Sequence, residues 1–174
     1  MLYVVDRVNG VTYLDNIMYV VCEESSTIRL YNTDTLSPLD VVIDVKGMKH
    51  PRDIVVCRHD RQLYVAEWHY IWRVSVDDHS YVKWMTTQLN VWSLSMTSRR
   101  LLVTSFIPPA VRQYSTTNKQ LLCVVELPQY VKDVLLHAVE TTHGTFVVCH
   151  RGTSQDEEQF AVSELLGFCH VLQH

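Results

Sequence analysis

A cluster of aromatic and basic side chains occupies one short stretch of the sequence, and its residue types are those of a binding surface. Trp68, His69 and Tyr70 fall at a turn between two predicted strands, and Arg73 follows in the second strand. Tryptophan, tyrosine and arginine contribute most of the binding energy at many protein interfaces. We therefore predict that these four residues contact a protein partner. The alternative, in which all four tryptophans of the chain are core residues, stays open at this stage.

Histidine and cysteine are plentiful, but their spacing does not predict a zinc site. Cys149 and His150 are neighbours in a predicted strand, so their side chains point to opposite faces. Cys169, His170 and His174 do not form a paired ligand spacing either. The sequence also contains no GxSxG motif and no glycine-rich phosphate loop. We expect no cofactor and, more generally, no catalytic set.

Composition narrows the class of partner and the compartment. The 174 residues are 47% hydrophobic and 20% charged, with a formal net charge of -4, which is ordinary for a globular chain and argues against nucleic acid as a partner. No apolar run approaches the roughly 18 residues that span a bilayer, so we expect no membrane association. The first residues do not resemble a signal peptide, and five widely spaced cysteines suggest buried, reduced thiols. We therefore expect a cytoplasmic protein.

The elements that must position the aromatic cluster form a repeat. Tyr19, Tyr64, Leu102 and Phe146 each lie in a run rich in Val, Ile and Leu, and they recur about every 40 residues, a period typical of propeller blades. The predicted fold is all-β and propeller-like, with about four four-stranded blades in a single domain. The expected blades cover residues 8–45, 52–87, 91–127 and 132–174, with an extra strand at 2–5.

Turn-forming residues separate these strands. Apolar residues fill the contacts between neighbouring blades, which we call seams. The expected turns lie at Asn9-Gly10, Asn32 to Asp34, Asp77-Asp78, Thr117-Asn118 and His143-Gly144. Seam residues are expected to alternate along each strand. They are Ile54, Val56, Leu63, Val65, Ile71 and Val74 in the second blade, and Leu94, Leu101, Val103, Val111, Leu122 and Val124 in the third.

The second blade carries the motifs PRDIVV (51–56), LYVAE (63–67) and IWRV (71–74). This pattern resembles the NHL repeat of six-bladed propellers, and it is similar to the YWTD blade of the low-density-lipoprotein receptor. Asp53 stands where the NHL repeat has glycine, and Glu67 where both families have aspartate. NHL propellers commonly serve as interaction domains in larger chains. The resemblance thus implies a non-enzymatic protein-interaction or scaffold module.

A second implication of the resemblance is enzymatic. In gluconolactonase-like propeller hydrolases, acidic and amide side chains around the central channel hold a divalent metal that activates water. Asp53 and Asp133 lie at comparable places in the second and fourth blades, and with Glu67 and Asn90 they are the residues expected to hold such a metal. The alternative function is therefore a metal-dependent lactonase-like hydrolase, with Asp53 and its companions as ligands rather than as turn-forming or solvated residues.

The number of blades does not determine how a complete propeller is assembled. Four blades can close a ring, but many propellers have six or more. The chain is expected to be a closed propeller, an open or partial six-bladed one whose other blades belong to a longer chain, or half of a homo-oligomer. A truncated propeller without independent activity is a further alternative.

Overall fold

The structure is a computed structural model that describes residues 7–125, 127–128, 131, 135–151 and 160–165. Within these residues, fifteen strands form four antiparallel sheets, in which each strand pairs with the next along the chain. Three sheets have four strands and the last has three. The all-β fold with four propeller-like blades is therefore confirmed. The chain divides into two compact units, residues 1–86 and 87–174.

The first unit contains the first two sheets. The strands of its first sheet are β1 (Val8–Leu14), β2 (Ile17–Cys22), β3 (Thr27–Asn32) and β4 (Pro38–Asp44). Those of its second sheet are β5 (Pro51–Cys57), β6 (Gln62–Glu67), β7 (Tyr70–Ser75) and β8 (Tyr81–Thr86). Both sheets have the apolar faces that the alternating pattern predicts, and they bury them against each other. Val21, Ile28, Leu63, Val65 and Val74 are completely buried in this shared core.

The second unit contains the other two sheets. The strands of the third sheet are β9 (Val91–Thr97), β10 (Arg100–Phe106), β11 (Pro109–Ser115) and β12 (Leu121–Val125). Those of the fourth are β13 (Leu135–Glu140), β14 (Phe146–Arg151) and β15 (Phe160–Leu165). Hydroxyl groups tie the two sheets together, because Ser93 Oγ and Ser95 Oγ of β9 donate to the carbonyls of Leu136 and Ala138 in β13, at 3.1 and 2.8 Å.

One irregularity is common to all four sheets. The second residue of each first strand is an extra residue that has no counterpart on the neighbouring strand, so it forms a β-bulge. The bulged residues are Asn9, Arg52, Trp92 and Leu136. A bulge leaves its extra residue out of the ladder and redirects its side chain. Asn9 uses this freedom to donate its side-chain amide to the carbonyl of Pro51, at 2.7 Å.

Two details of the sequence prediction are wrong. Gly10 is not in a turn; it lies inside β1, opposite Val21, and is buried. The first turn is instead at Asp15-Asn16, where both residues have positive φ. In β12, Cys123 and Val125 are buried, whereas Leu122 and Val124 are half-buried, because the pleat of this strand is the reverse of the one we expected. The other ten expected seam residues are buried.

The cysteines divide into two groups. Cys22, Cys57 and Cys149 are free thiols, and the first two are buried. Burial raises the pKa of the Cys57 thiol, so it stays protonated near neutral pH. Cys123 is disulfide-bonded, and the expectation of reduced thiols is wrong for this residue. The extra strand expected at 2–5 and the last strand of the fourth blade lie outside the described residues.

Gly10 offers a direct test of the packing in the first unit. A Cβ atom at this position would lie 2.8 Å from the backbone nitrogen of Ile54 and 2.9 Å from the Cα of Asp53. Gly10→Ala should therefore push β1 away from β5 and lower the free energy of unfolding by about 1–3 kcal/mol, as overpacking commonly does. The measurement is urea unfolding followed by circular dichroism.

Val11→Ala is the matched control, because Val11 follows Gly10 and is 51% exposed. It should change the free energy of unfolding by no more than about 0.5 kcal/mol. Equal losses in the two variants would contradict the close approach of β1 and β5.

Candidate functional site

Glu67 is a buried carboxylate whose oxygens are both hydrogen-bonded. It ends β6 and is 6% exposed. Its Oε1 accepts from the backbone N–H groups of Lys49 and His50, at 2.8 and 3.2 Å, and its Oε2 accepts from the indole N–H of Trp72, at 2.7 Å. A buried charge needs partners of this kind. The carboxylate thus links the connection between β4 and β5, which contains Lys49 and His50, to the end of β6 and to the buried Trp72 of β7.

Trp68 follows directly, in the two-residue turn that it forms with His69 between β6 and β7. Of these two residues only Trp68 has a positive φ, at 22°. A hairpin turn with positive φ at its first position usually has glycine there, so a bulky side chain at this place stores strain. Trp68 is 36% exposed, and the Arg52 guanidinium lies 4.1 Å from its ring centroid. The bulge at Arg52 is what directs this side chain to Trp68.

Tyr70 begins β7 on the other side of the turn. Lys83 Nζ lies 3.6 Å from the centroid of its ring and 5.1 Å from that of Trp72. Both are cation–π distances. Tyr70 is half-buried against the core of the first unit, while Trp72 is 5% exposed and packs within that core. Trp68 in the turn and Tyr70 at the start of β7 therefore each have a cation over the ring.

We call this region the blade-2 aromatic surface. It consists of Arg52, Trp68, His69, Tyr70 and Lys83. The structure brings together three of the four residues predicted to bind a partner, namely Trp68, His69 and Tyr70. Arg73 lies elsewhere: it pairs with Tyr64 and Val82, and it lines an open cavity of about 270 Å³ with Gln62, Ser75 and Asp78. Period-two alternation puts Arg73 on the face opposite Trp72.

The opposite end of the first unit carries paired charges. Arg61 forms ion pairs with Asp15 and with Asp77, the latter at 2.7 Å, and these hydrogen bonds raise its pKa. Hydrogen bonds from Ser75 and Ser80 lower the pKa of Asp78 to about 2. Arg58 also lies there, 4.7 Å from the ring centroid of Tyr13, which is 60% exposed. This pair resembles Arg52 and Trp68 in geometry but sits among acidic neighbours.

The residues of the metal hypothesis are not gathered into a site. Asp53 Oδ1 accepts from the Ile54 N–H at 2.8 Å, and Glu67 is occupied as described. Asn90 belongs to the second unit, where its backbone exchanges hydrogen bonds of 3.1 Å with Phe106 and Ile107. Asp133 lies outside the described residues, as does the acidic run 155–159. In the described part of the chain, no three His, Cys, Asp or Glu side chains are grouped as a metal would require.

Sequence reasoning missed an apolar surface in the second unit. The turn between β10 and β11 leaves Phe106 and Ile107 exposed, at 37% and 57%, and Trp92 lies 6.0 Å from Phe106 between ring centroids. Trp92 is the bulged residue of its strand. The signal was present in the sequence, since Phe106 and Ile107 precede two prolines where a turn should be polar.

Comparison with known proteins supports the fold and goes no further. No family model matches the chain, and no curated protein matches it either. The computationally designed protein Ika4 is similar in structure, with a TM-score of 0.65, 10% identity and coverage of 92% of both chains. A chain of the nidogen/laminin complex has a TM-score of 0.67 at 14% identity, over 85% of this chain and 58% of that one.

The WD40 β-propeller domain of Doa1 has a TM-score of 0.63 at 15% identity, over 81% of this chain and 47% of that one. The chain thus spans about half the length of two of these three matches. The likeness places it among propeller folds; no match supports the NHL repeat in particular. Across the described residues, no helix is long and apolar enough to cross a membrane.

The hydrogen bonds of Glu67 predict a specific loss of stability. In Glu67→Gln, the amide oxygen can still accept from Lys49 and His50, but its NH₂ group then faces the donor N–H of Trp72. Leaving these buried donors unpaired should lower the free energy of unfolding by about 1–3 kcal/mol. The measurement is urea unfolding at neutral pH.

Trp72→Phe removes the indole N–H donor, so Glu67→Gln is also measured in a chain that carries this second substitution. Glu67→Gln should be less destabilising in Trp72→Phe than in the parent chain, because no donor then opposes the amide. An equal loss in both backgrounds would rule out the bond between Glu67 and Trp72.

Proposed function

We propose that this chain is a protein-interaction module built on propeller blades, and that the blade-2 aromatic surface is its contact site. The observation that carries the proposal is Trp68, a large aromatic side chain that is 36% exposed on a strained two-residue turn. Glycine would relieve the strain at this position. Strained residues cluster at binding sites, where the surrounding structure compensates for them.

The neighbours of Trp68 support the same function. Arg52 and Lys83 hold fixed positions over aromatic rings, which lowers the conformational entropy that they lose on binding. Glu67, the residue before the turn, is held in place by hydrogen bonds to both of its carboxylate oxygens. A partner would therefore meet a preformed surface of two aromatic side chains and two cations, which are residue types typical of interface hot spots.

The metal-dependent hydrolase stays an alternative prediction. A metal bound at Glu67 would have to displace three hydrogen bonds of a buried carboxylate. The compartment also stays a prediction. A disulfide at Cys123 is typical of oxidising compartments and does not support a cytoplasmic location.

The contact site can be tested by site-specific photocrosslinking. A benzophenone amino acid in place of His69 should crosslink a discrete protein in an extract of the source cells, since His69 is exposed beside Trp68. Adding Trp68→Ala should abolish the product, because loss of a hot-spot side chain weakens binding by about 2 kcal/mol or more. The readout is a shifted band identified by mass spectrometry.

The control is the same amino acid at Tyr13, with Arg58 rather than Arg52 as its neighbour. Position 13 should not give the product obtained from position 69. A product common to both positions, or one that persists in Trp68→Ala, would count against the proposed contact site.

A further inference from the structure

The first sheet exposes apolar residues at positions that the other sheets bury. Two residues after its bulge, the first strand of this sheet has Val11, which is 51% exposed. The same position in the other three sheets is occupied by Ile54, Leu94 and Ala138, and all three are buried. Each blade of a repeat protein normally covers this side of its neighbour. The apolar surface around Val11 reaches solvent instead.

We call this side of the sheet the first-sheet exposed face and define it by Val11, Tyr13 and Val42. Tyr13 follows Val11 by two residues, so both side chains point to the same side. Val42 lies in the same row as Val11, because the pairing runs from Val11 to Val20, then to Arg29 and then to Val42. Tyr13 and Val42 are 60% and 55% exposed, whereas the other face of this sheet packs against the second sheet.

The fourth sheet also exposes a position that the other sheets bury. Its third strand contains Val162, which pairs with Cys149 and is 69% exposed. The corresponding residues of the other three sheets are Ile28, Ile71 and Val111, and all three are completely buried. The register fixes this correspondence, because each of the four pairs with the second-strand residue that lies opposite the first residue after the bulge.

We call this side the fourth-sheet exposed face and define it by Val139, Val147, Cys149 and Val162. Val139 pairs with Val147, and Cys149 pairs with Val162, so the four side chains lie in adjacent rows on one face. Val139 and Val162 are exposed, and the two residues of β14 are half-buried. Val148, between them in β14, points the other way into the core shared with the third sheet. The fourth sheet thus has one packed face and one exposed apolar face.

These two exposed faces correspond to the two sides of one contact that the chain already makes twice. Within each unit, the position of Val162 on one sheet and the position of Val11 on the next sheet belong to a single core. The residues at these positions are Ile28 and Ile54 in the first unit, and Val111 and Ala138 in the second. A face of the first kind therefore packs against a face of the second kind in both units.

We propose that copies of this chain associate head to tail, with the fourth-sheet exposed face of one copy packed on the first-sheet exposed face of the next. Val162 of one copy and Val11 of the partner copy then share a core, as Ile28 and Ile54 do within one chain. Val11 and Val162 are both exposed in the single chain, so each is accessible to a second copy. Excluding water from the two apolar faces drives the association.

A second copy supplies what each exposed face requires. The occupant of either face has to offer a sheet with apolar side chains in the matching rows, which is how the sheets pack within each unit. An unrelated partner would have to reproduce a blade face, whereas a copy of this chain carries the matching face on another of its sheets. A contact between two different faces is heterologous, and it joins copies into closed or extended assemblies.

The first test is the mass of the full chain in solution, measured by light scattering after size-exclusion chromatography. We expect twice the mass of one chain, or a higher multiple, falling with dilution. Trp68→Ala should give the same mass as the parent chain, because the blade-2 aromatic surface is outside both exposed faces. A chain that stays monomeric at every concentration would overturn this proposal and leave the proposed function intact.

Charge substitutions locate the contact on both faces. Val11→Arg and Val162→Arg each place an unpaired charge in the contact and should raise the dissociation constant at least about tenfold. Both residues are exposed in the single chain, so both variants should keep the circular dichroism spectrum of the parent. Val82→Arg is the matched control, since Val82 is an exposed strand valine of the second sheet. It should change the dissociation constant by no more than about twofold, and an equal loss there would contradict the proposed contact.

Mixing the two variants tests the head-to-tail arrangement. The Val11→Arg chain keeps an intact fourth-sheet exposed face, and the Val162→Arg chain keeps an intact first-sheet exposed face. An equimolar mixture should therefore form a complex of two chains that neither variant forms alone. If Val162→Arg alone associates like the parent, the contact joins two identical faces and the proposal is wrong. A mixture that stays monomeric would also overturn it.

Discussion

One extra residue at the second position of each first strand shapes much of this structure. The bulges at Asn9, Arg52, Trp92 and Leu136 interrupt the ladder at the same place in all four sheets. A bulged residue leaves the regular alternation of the strand, so its polar groups and its side chain find partners outside the sheet ladder. Asn9 bonds to Pro51, and the carbonyl of Leu136 accepts from Ser93, so two of the bulges join neighbouring sheets within a unit.

The other two bulges build surfaces. Arg52 is directed to Trp68, and Trp92 is directed to Phe106, each beside the turn that follows the second strand of its sheet. Glu67 complements the first of these arrangements, because its buried carboxylate fixes the chain that enters the bulge and the strand that leads into the turn. The exposed aromatic side chain thus rests on a scaffold of buried hydrogen bonds. This explains how a strained Trp68 persists where glycine would be easier to accommodate.

The contrast between the two ends of the first unit gives the surface its chemical character. Arg58 over Tyr13 and Arg52 over Trp68 are similar pairs. The first lies close to the Arg61 ion pairs with Asp15 and Asp77, and the second lies in the same blade as Lys83, which stacks over Tyr70. Geometry alone does not distinguish the two pairs, whereas the acidic neighbours of the first pair do.

The sequence by itself determined the strands, their grouping into four repeats and most of the buried residues. Alternating Val, Ile and Leu specify which face of a strand is apolar, and this is a local property of the chain. It also singled out Trp68, His69 and Tyr70 by their residue types. The structure separates Arg73 from these three residues, because alternation turns it to the other face of β7.

Only the tertiary structure decided what the polar residues do. Glu67 looked like a ligand for a metal, yet its partners are two backbone amides from a different connection and an indole from the next strand. Gly10 looked like a turn residue, yet it lies where β1 and β5 come too close for a side chain. Cys123 looked like a free thiol, yet it is disulfide-bonded. These roles depend on groups that are far apart in the chain, and no local pattern records such contacts.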